Sequence, residues 1–213
     1  MSEKRKQTAV EESLNTLVHG AGFGLAIAAL ITLVISANNH GSAWHLASFS
    51  IYGATLIVLY LSSALYHSLP EGNCKNTLRV IDHSSIFLLI AGTYTPITLT
   101  AMRGPWGWSI FGVVWGIALA GIVIKIFWFD KLRHFSTIMY AAMGWIIVIA
   151  IQPLLKSVNS TSLVFLLAGG LAYSLGIVFY ASQKIKFNHA IWHVFVLAGS
   201  ICHFFTVLYL LPR

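Results

Sequence analysis

Two histidines near the end of the chain have the spacing of a metal-binding pair. His189 and His193 are four positions apart, so on a helix their Cβ atoms lie on one face, about 5–6 Å from each other. His67, at the end of another apolar segment, is placed to supply a third nitrogen. Three histidines and a water form an open, catalytic zinc arrangement, so the pattern predicts Zn²⁺, although copper or nickel would accept the same ligands. The alternative is that the pair bonds backbone carbonyls or lies among lipid headgroups.

A carboxylate and a hydroxyl accompany the histidines. Asp82 is predicted to hold the metal's water as a general base, or to orient a ligating histidine. Ser63, one helical turn before His67, is placed to hydrogen-bond either that water or Asp82. Asp82 and Ser63 are therefore the predicted catalytic residues, and His83 is a supporting one.

A polar stripe precedes the first long apolar block. Glu12, Asn15 and His19 are separated by three and four positions, which places them on one helix face. We interpret them as support for the site and not as ligands. The alternative is that Glu12 caps the helix start and Asn15 bonds a neighbouring helix. His203, ten residues past His193 and so about 15 Å further along a helix, is expected to be a packing histidine.

The composition indicates that these residues belong to a membrane protein. Of 213 residues, 57% are hydrophobic and only 9% are charged, whereas a soluble domain usually carries about a quarter charged residues. This excludes a soluble enzyme, a disordered tail and a secreted disulfide scaffold. The net charge is +7, but the longest run of basic residues is residues 4–6 and the other basic residues are scattered between apolar blocks. A nucleic-acid partner is therefore not expected. No disulfide is expected between Cys74 and Cys202.

Seven apolar blocks are long enough to cross a bilayer, which needs about 20 residues each. They lie near residues 16–37, 45–67, 80–101, 106–127, 135–154, 162–182 and 190–211. The sequence therefore predicts an all-α integral membrane protein that folds as a seven-transmembrane helix bundle. Residues 1–15 are predicted to be a cytoplasmic N-terminal segment, and residues 16–213 a single transmembrane domain.

The basic residues predict the direction of the bundle, because cytoplasmic connections carry an excess of Lys and Arg. Ten of them fall at the N-terminus and the second, fourth and sixth connections: Lys4, Arg5, Lys6, Lys75, Arg79, Lys125, Lys131, Arg133, Lys184 and Lys186. Three fall on the other side: Arg103, Lys156 and Arg213. The N-terminus is predicted to be cytoplasmic and the C-terminus extracellular, opposite to G-protein-coupled receptors.

This direction brings the unusual polar residues of four helices to one side of the membrane. They are His19, Ser63, His67, Asp82, His83, His189 and His193. Ionisable residues inside spans commonly mark functional sites. The sequence thus predicts a single site near the cytoplasmic face.

These segments resemble a known family. Glu12-x2-Asn15-x3-His19, Ser63-x3-His67 followed by Asp82-His83, and His189-x3-His193 look like the three signature segments of the progestin and adipoQ receptor (PAQR) family. The short connections resemble its bacterial branch, the hemolysin III proteins. The similarity covers nearly the whole chain.

The resemblance implies an adiponectin-receptor-like bundle with a cytoplasmic N-terminus. It implies zinc bound through His67, His189 and His193, with Asp82 contacting the zinc-bound water. The family is grouped with alkaline ceramidases, and its bacterial branch is connected with hemolysis and membrane lipid homeostasis. The chain lacks the long N-terminal domain of the animal receptors, so a protein-hormone ligand is not expected.

Three functions follow as hypotheses. The first is a zinc-dependent intramembrane hydrolase of a lipid amide or ester, ceramidase-like, whose acyl-chain substrate enters sideways from the bilayer. The second is a non-enzymatic sensor of lipid or membrane state, or a receptor, with structural zinc. The third is a hemolytic, membrane-lysing protein. All three predict a multi-pass protein of the bacterial cell membrane.

Overall fold

The computed structural model describes residues 7–182 and 184–212, without the side chains of Arg133 and His134. Regular structure in this part of the chain is entirely helical. In chain order the helices are α1 (Ala9–His40), α2 (Ala43–Ser68), α3 (Asn73–Pro96), α4 (Pro105–Trp128), α5 (Arg133–Gly144), α6 (Ile151–Ser157), α7 (Ser160–Ala181) and α8 (Asn188–Leu208). A π-helical turn, Ile97–Ala101, extends α3, and a 3-10 helix, Ile146–Ala150, joins α5 to α6.

Seven segments of the described chain are long and apolar enough to cross a membrane, which confirms the predicted number of spans. The third span (Asn73–Ala101) combines α3 with the π-helical turn. The fifth (Phe135–Ser157) combines most of α5 with the 3-10 helix and α6. Each of the other five spans is a single helix. Cys74 and Cys202 are free thiols, as expected. The direction of the bundle across the membrane stays a prediction.

The first helix begins at Ala9, inside the stretch predicted as an N-terminal segment. Thr8 and Glu11 form a capping box: the Thr8 hydroxyl accepts a hydrogen bond from the Glu11 amide (3.3 Å), and the Glu11 carboxylate accepts one from the Thr8 amide (2.8 Å). Such a box satisfies backbone donors that the first helical turn would leave unpaired. Glu12 lies with Glu11 in the first turn, where negative charge is favoured, and its carboxylate also contacts other helices.

The helices that carry the predicted site pack against one another. α1 packs against α2 and α8, and α2 also packs against α3. Gly22 on α1 contacts the ring of Tyr60 on α2 so closely that a side-chain carbon there would overlap it. The Tyr60 hydroxyl in turn donates a hydrogen bond to Ser200 Oγ on α8 (2.8 Å). These contacts hold α1, α2 and α8 together in the middle of the bundle, next to the turns that carry the predicted site.

The fifth span is broken where α5 ends. The Tyr94 hydroxyl of α3 lies 2.9 Å from the carbonyl oxygens of Met143 and Gly144 and accepts a hydrogen bond from the Ile147 amide (3.1 Å). Irregular backbone at membrane depth is tolerated where it is buried in protein or lines a cavity. Tyr94, Gly144 and Ile147 all line the internal cavity described below, so the break shapes its wall.

Candidate metal centre

The three predicted ligands come together as the sequence spacing indicates. His67 lies one residue before the end of α2, and His189 and His193 occupy the first two turns of α8. All three are buried, and each offers a ring nitrogen such that these atoms lie within 4.8 Å of one another. Among the described residues this is the only such group of histidine, cysteine or acidic side chains.

The nitrogen positions fit a metal ion. His67 Nε2 and His193 Nε2 are 3.1 Å apart. Two nitrogens bound at 2.0–2.1 Å in a tetrahedral zinc site would be about 3.3 Å apart. A shift of a few tenths of an ångström would therefore bring these two atoms into coordination geometry. The centre could therefore hold a metal ion.

Glu12 orients the histidine that comes from α2. Its Oε2 lies 2.5 Å from His67 Nδ1, and its Oε1 accepts a hydrogen bond from Lys75 Nζ (2.9 Å). A carboxylate that accepts the Nδ1 proton leaves Nε2 bare, which is the form a metal requires. The sequence stripe indicated a supporting role for Glu12 but not this partner, which is 55 residues away in the chain.

Asn15 completes the same support. It is fully buried, and its amide nitrogen donates to Gln7 Oε1 (2.7 Å) and lies 3.4 Å from His67 Nδ1. This contact with α2 agrees with both interpretations of the stripe, because Asn15 packs on a neighbouring helix and on a predicted metal ligand at the same time.

Asp82 and Ser63 lie near the cluster but outside the three-histidine group. Asp82 is buried and lines the same cavity as His189 and His193, and its Oδ2 is 3.5 Å from His83 Nδ1. Ser63 is fully buried, and its hydroxyl lies beside the Asp82 carboxylate, outside strict hydrogen-bond geometry. Their roles in handling a water stay predictions.

The two remaining supporting histidines differ. The His83 ring packs on Phe129, with 5.0 Å between ring centroids, and its Nδ1 lies 2.9 Å from the Arg79 carbonyl oxygen. The His19 ring lies directly against His193, with 3.6 Å between centroids. Both line the cavity, and neither belongs to the three-histidine group.

Unsatisfied polar atoms concentrate at this end of the bundle. Of eight buried side-chain atoms that lack a hydrogen-bond partner in the described chain, five belong to Asn15, His19, Ser63 and His193. A buried polar atom without a partner costs about 1–3 kcal/mol. Such a concentration is typical of a site whose polar groups are satisfied by something that binds.

A cavity of about 330 Å³ extends from the cluster into the bundle. His189 and His193 line one part of it, and His203 lines another, about 15 Å further along α8. The walls are mainly aliphatic and aromatic and come from α3, the fifth span, α7 and α8. His203 lies outside the metal group, as expected, since its Nε2 is 3.3 Å from the Leu166 carbonyl oxygen. Its place in the cavity wall was not predicted.

Comparison with known proteins identifies the relatives of the chain. The family described as "Haemolysin-III related" matches residues 7–204. The chain is 47% identical to the "Hemolysin-3 homolog" of Bacillus subtilis (strain 168), over 95% of both sequences. It is 46% identical to "Hemolysin-3" of Bacillus cereus, over 95% of the chain and 93% of the relative. The human "Monocyte to macrophage differentiation factor" is 27% identical, over 95% and 85%. No solved structure gives a significant match.

The match spans nearly all of the described helices, and it confirms the resemblance seen in the signature segments. Bacterial relatives and seven apolar helices together make the chain a multi-pass protein of the cell membrane. The chain belongs to the haemolysin-III related family.

Proposed function

We propose that this protein is a zinc-dependent hydrolase that cleaves an amide or ester bond of a membrane lipid. The observation that carries the proposal is the three-histidine cluster beside an apolar cavity whose wall also contains Asp82. A cavity of about 330 Å³ lies in the size range of small-molecule sites. Its apolar walls suit an acyl chain, and the histidine cluster and Asp82 lie at one end, where the scissile bond would lie.

Zinc held by three histidines would supply an activated water and polarise the scissile carbonyl. Asp82 would accept the proton of the attacking water and return it to the leaving group. Glu12 would keep His67 in the tautomer that presents Nε2. The apolar wall would exclude bulk water from the reacting end.

The substrate would enter from the bilayer between the fifth span and α7. Both segments line the cavity, and the hydrogen bond that joins them there, from Trp145 Nε1 to Ser174 Oγ (3.1 Å), is exposed and would have to open for entry. With the direction predicted from the basic residues, the reacting end would lie near the cytoplasmic leaflet.

Two other functions remain distinct candidates. A sensor with structural zinc would need a fourth protein ligand, whereas the group found in the described residues has three. Membrane lysis is suggested by the name of the Bacillus cereus relative, Hemolysin-3. A lytic pore would need a polar lining, which the apolar cavity does not supply.

The test is hydrolysis by purified, zinc-loaded protein of a panel of acyl amides and esters, with the Asp82→Asn variant and a His40→Ala control. His40 is exposed at the end of α1. We expect turnover by the native and control proteins, and turnover about 10²–10⁴-fold slower by the Asp82 variant. No turnover on any lipid, combined with leakage of dye from liposomes, would favour lysis instead.

A further inference from the structure

The His19 imidazole is the least explained polar group at the metal end. It is 3% exposed, lines the cavity and lies against the ligand His193. Neither of its ring nitrogens makes a hydrogen bond to the described residues. A neutral imidazole always carries one N–H donor and one bare nitrogen, so a donor is left beside the reacting end of the cavity.

Neighbouring groups do not account for this donor. Tyr60, whose ring meets His19 edge-on at 5.0 Å, donates its own hydroxyl proton to Ser200 Oγ. The backbone carbonyl of His193 is also nearby, but it does not meet either ring nitrogen of His19 with hydrogen-bond geometry. A phenylalanine would fill the same space without leaving a polar group unsatisfied, so packing alone does not explain an imidazole here.

We propose that the His19 N–H donates a hydrogen bond to the carbonyl oxygen of the bound lipid. This inference rests on the proposed hydrolase function and adds a catalytic residue to it. The acyl oxygen is the group of an amide or ester that needs a donor. Ionised Asp82 offers only acceptors, and the amide nitrogen of Asn15 is engaged by Gln7. Ser63, unlike His19, is not among the residues that line the cavity.

The role is electrostatic and moves no proton to or from His19. The water oxygen adds to the acyl carbon while Asp82 accepts the water's proton. The carbon–nitrogen or carbon–oxygen bond then breaks, and that proton goes to the departing amine or alcohol. Throughout, the His19 N–H stabilises the negative charge that develops on the acyl oxygen.

The test compares His19→Gln with His19→Met, which fill similar volumes and differ in having a side-chain N–H. Three quantities are measured: metal content, the Kd for oleate, and kcat/KM on whichever panel lipid the native protein cleaves. We expect about one metal per chain in both variants. The Met variant should bind oleate about 10-fold more weakly and lose about 100-fold in kcat/KM, and Gln should recover most of both.

Other outcomes decide against the inference. Loss of metal in both variants would make His19 a ligand or a support of the metal. Native oleate affinity and kcat/KM in the Met variant, or equal losses in Gln and Met, would make it a packing residue. If the Met variant cannot be purified in detergent, His19→Phe replaces it. Failure of both variants to fold would also show that His19 is a packing residue. If the native protein cleaves no lipid but the Met variant still loses oleate affinity, the hydrolase fails and the carbonyl contact stands.

Discussion

Two buried polar clusters lie along the same helices and differ in how their hydrogen bonds are satisfied. In the middle of the bundle, the hydroxyls of Tyr60 and Tyr173 both meet Ser200 Oγ at 2.8 Å. At the metal end, His19 and His193 retain buried nitrogens with no partner in the described chain. Both clusters include α8, and both are surrounded by apolar spans.

This difference in hydrogen bonding distinguishes polar residues that stabilise the fold from polar residues that bind a ligand. A buried network whose members bond one another fixes how helices pack, and it gains nothing from a ligand. A cluster with several unsatisfied atoms is stable in the native protein only if binding or tight packing compensates for it. His193 and His203 show the contrast on one helix, since His203 bonds the Leu166 carbonyl oxygen and His193 faces a second histidine.

The largest expected effect separates those two histidines. His193→Ala should lower the metal content from about one ion per chain to less than about a tenth, because it removes one of three ligands. His203→Ala, an equally buried change on the same helix, should leave the metal content unchanged. Mass spectrometry of the purified, metal-reconstituted variants measures both. Equal metal content in the two variants would contradict the claim that His193 is a metal ligand and His203 is not.

Asp82→Asn should reduce lipid turnover about 10²–10⁴-fold while metal stays bound, because an amide cannot accept the proton of the attacking water. Asp130→Asn is the matched control, since the Asp130 side chain is 78% exposed. Turnover and metal content are measured on the same samples. Turnover at the native rate in the Asp82 variant would show that Asp82 does not take part in the reaction.

Glu12→Gln should weaken metal binding about 10–100-fold, as losses of partners that orient ligating histidines commonly do. The amide keeps the shape of the side chain but no longer holds the His67 Nδ1 proton with a negative charge. Competition with a chelator of known affinity measures the change, and Glu71→Gln, at an exposed position, is the control. Unchanged affinity would mean that Glu12 serves Lys75 alone.

Ser200→Ala should have the smallest effect on function and a measurable one on folding. The hydroxyls of Tyr60 and Tyr173 lose a shared partner, so the free energy of unfolding should fall by about 1–3 kcal/mol. Metal content should not change. Thermal unfolding in detergent is compared with Ser50→Ala, whose hydroxyl bonds only a carbonyl of its own helix. Loss of metal in the Ser200 variant would show that metal binding depends on the hydrogen bonds in the middle of the bundle.

Much of the fold and the ligand set could be predicted from the sequence, because both depend on local patterns. The length of apolar blocks defines the spans, and the four-residue spacing of His189 and His193 defines a helix face. His67 could be predicted as the third ligand because the end of the second span and the start of the seventh are on the same side of the membrane and so at similar depth.

Other features depend on tertiary contacts that no local pattern encodes. The partner of Glu12 is set by how α1 meets α2, and the stripe showed only that the face is polar. The break after Gly144 occurs without a proline at that point, because Tyr94 of a different span holds the free backbone groups. His203 has the same surroundings in sequence as a packing histidine, so its place in the cavity wall could not be foreseen.

X-ray absorption at the metal edge of the loaded native protein tests the central claim most directly. We expect three imidazole nitrogens and one oxygen at about 2.0–2.1 Å, and in His67→Ala, which removes one of the three ligands, less than about a tenth of the native metal signal. A metal surrounded by four protein ligands, or a protein that binds no metal after reconstitution, would contradict an open catalytic centre formed by His67, His189 and His193.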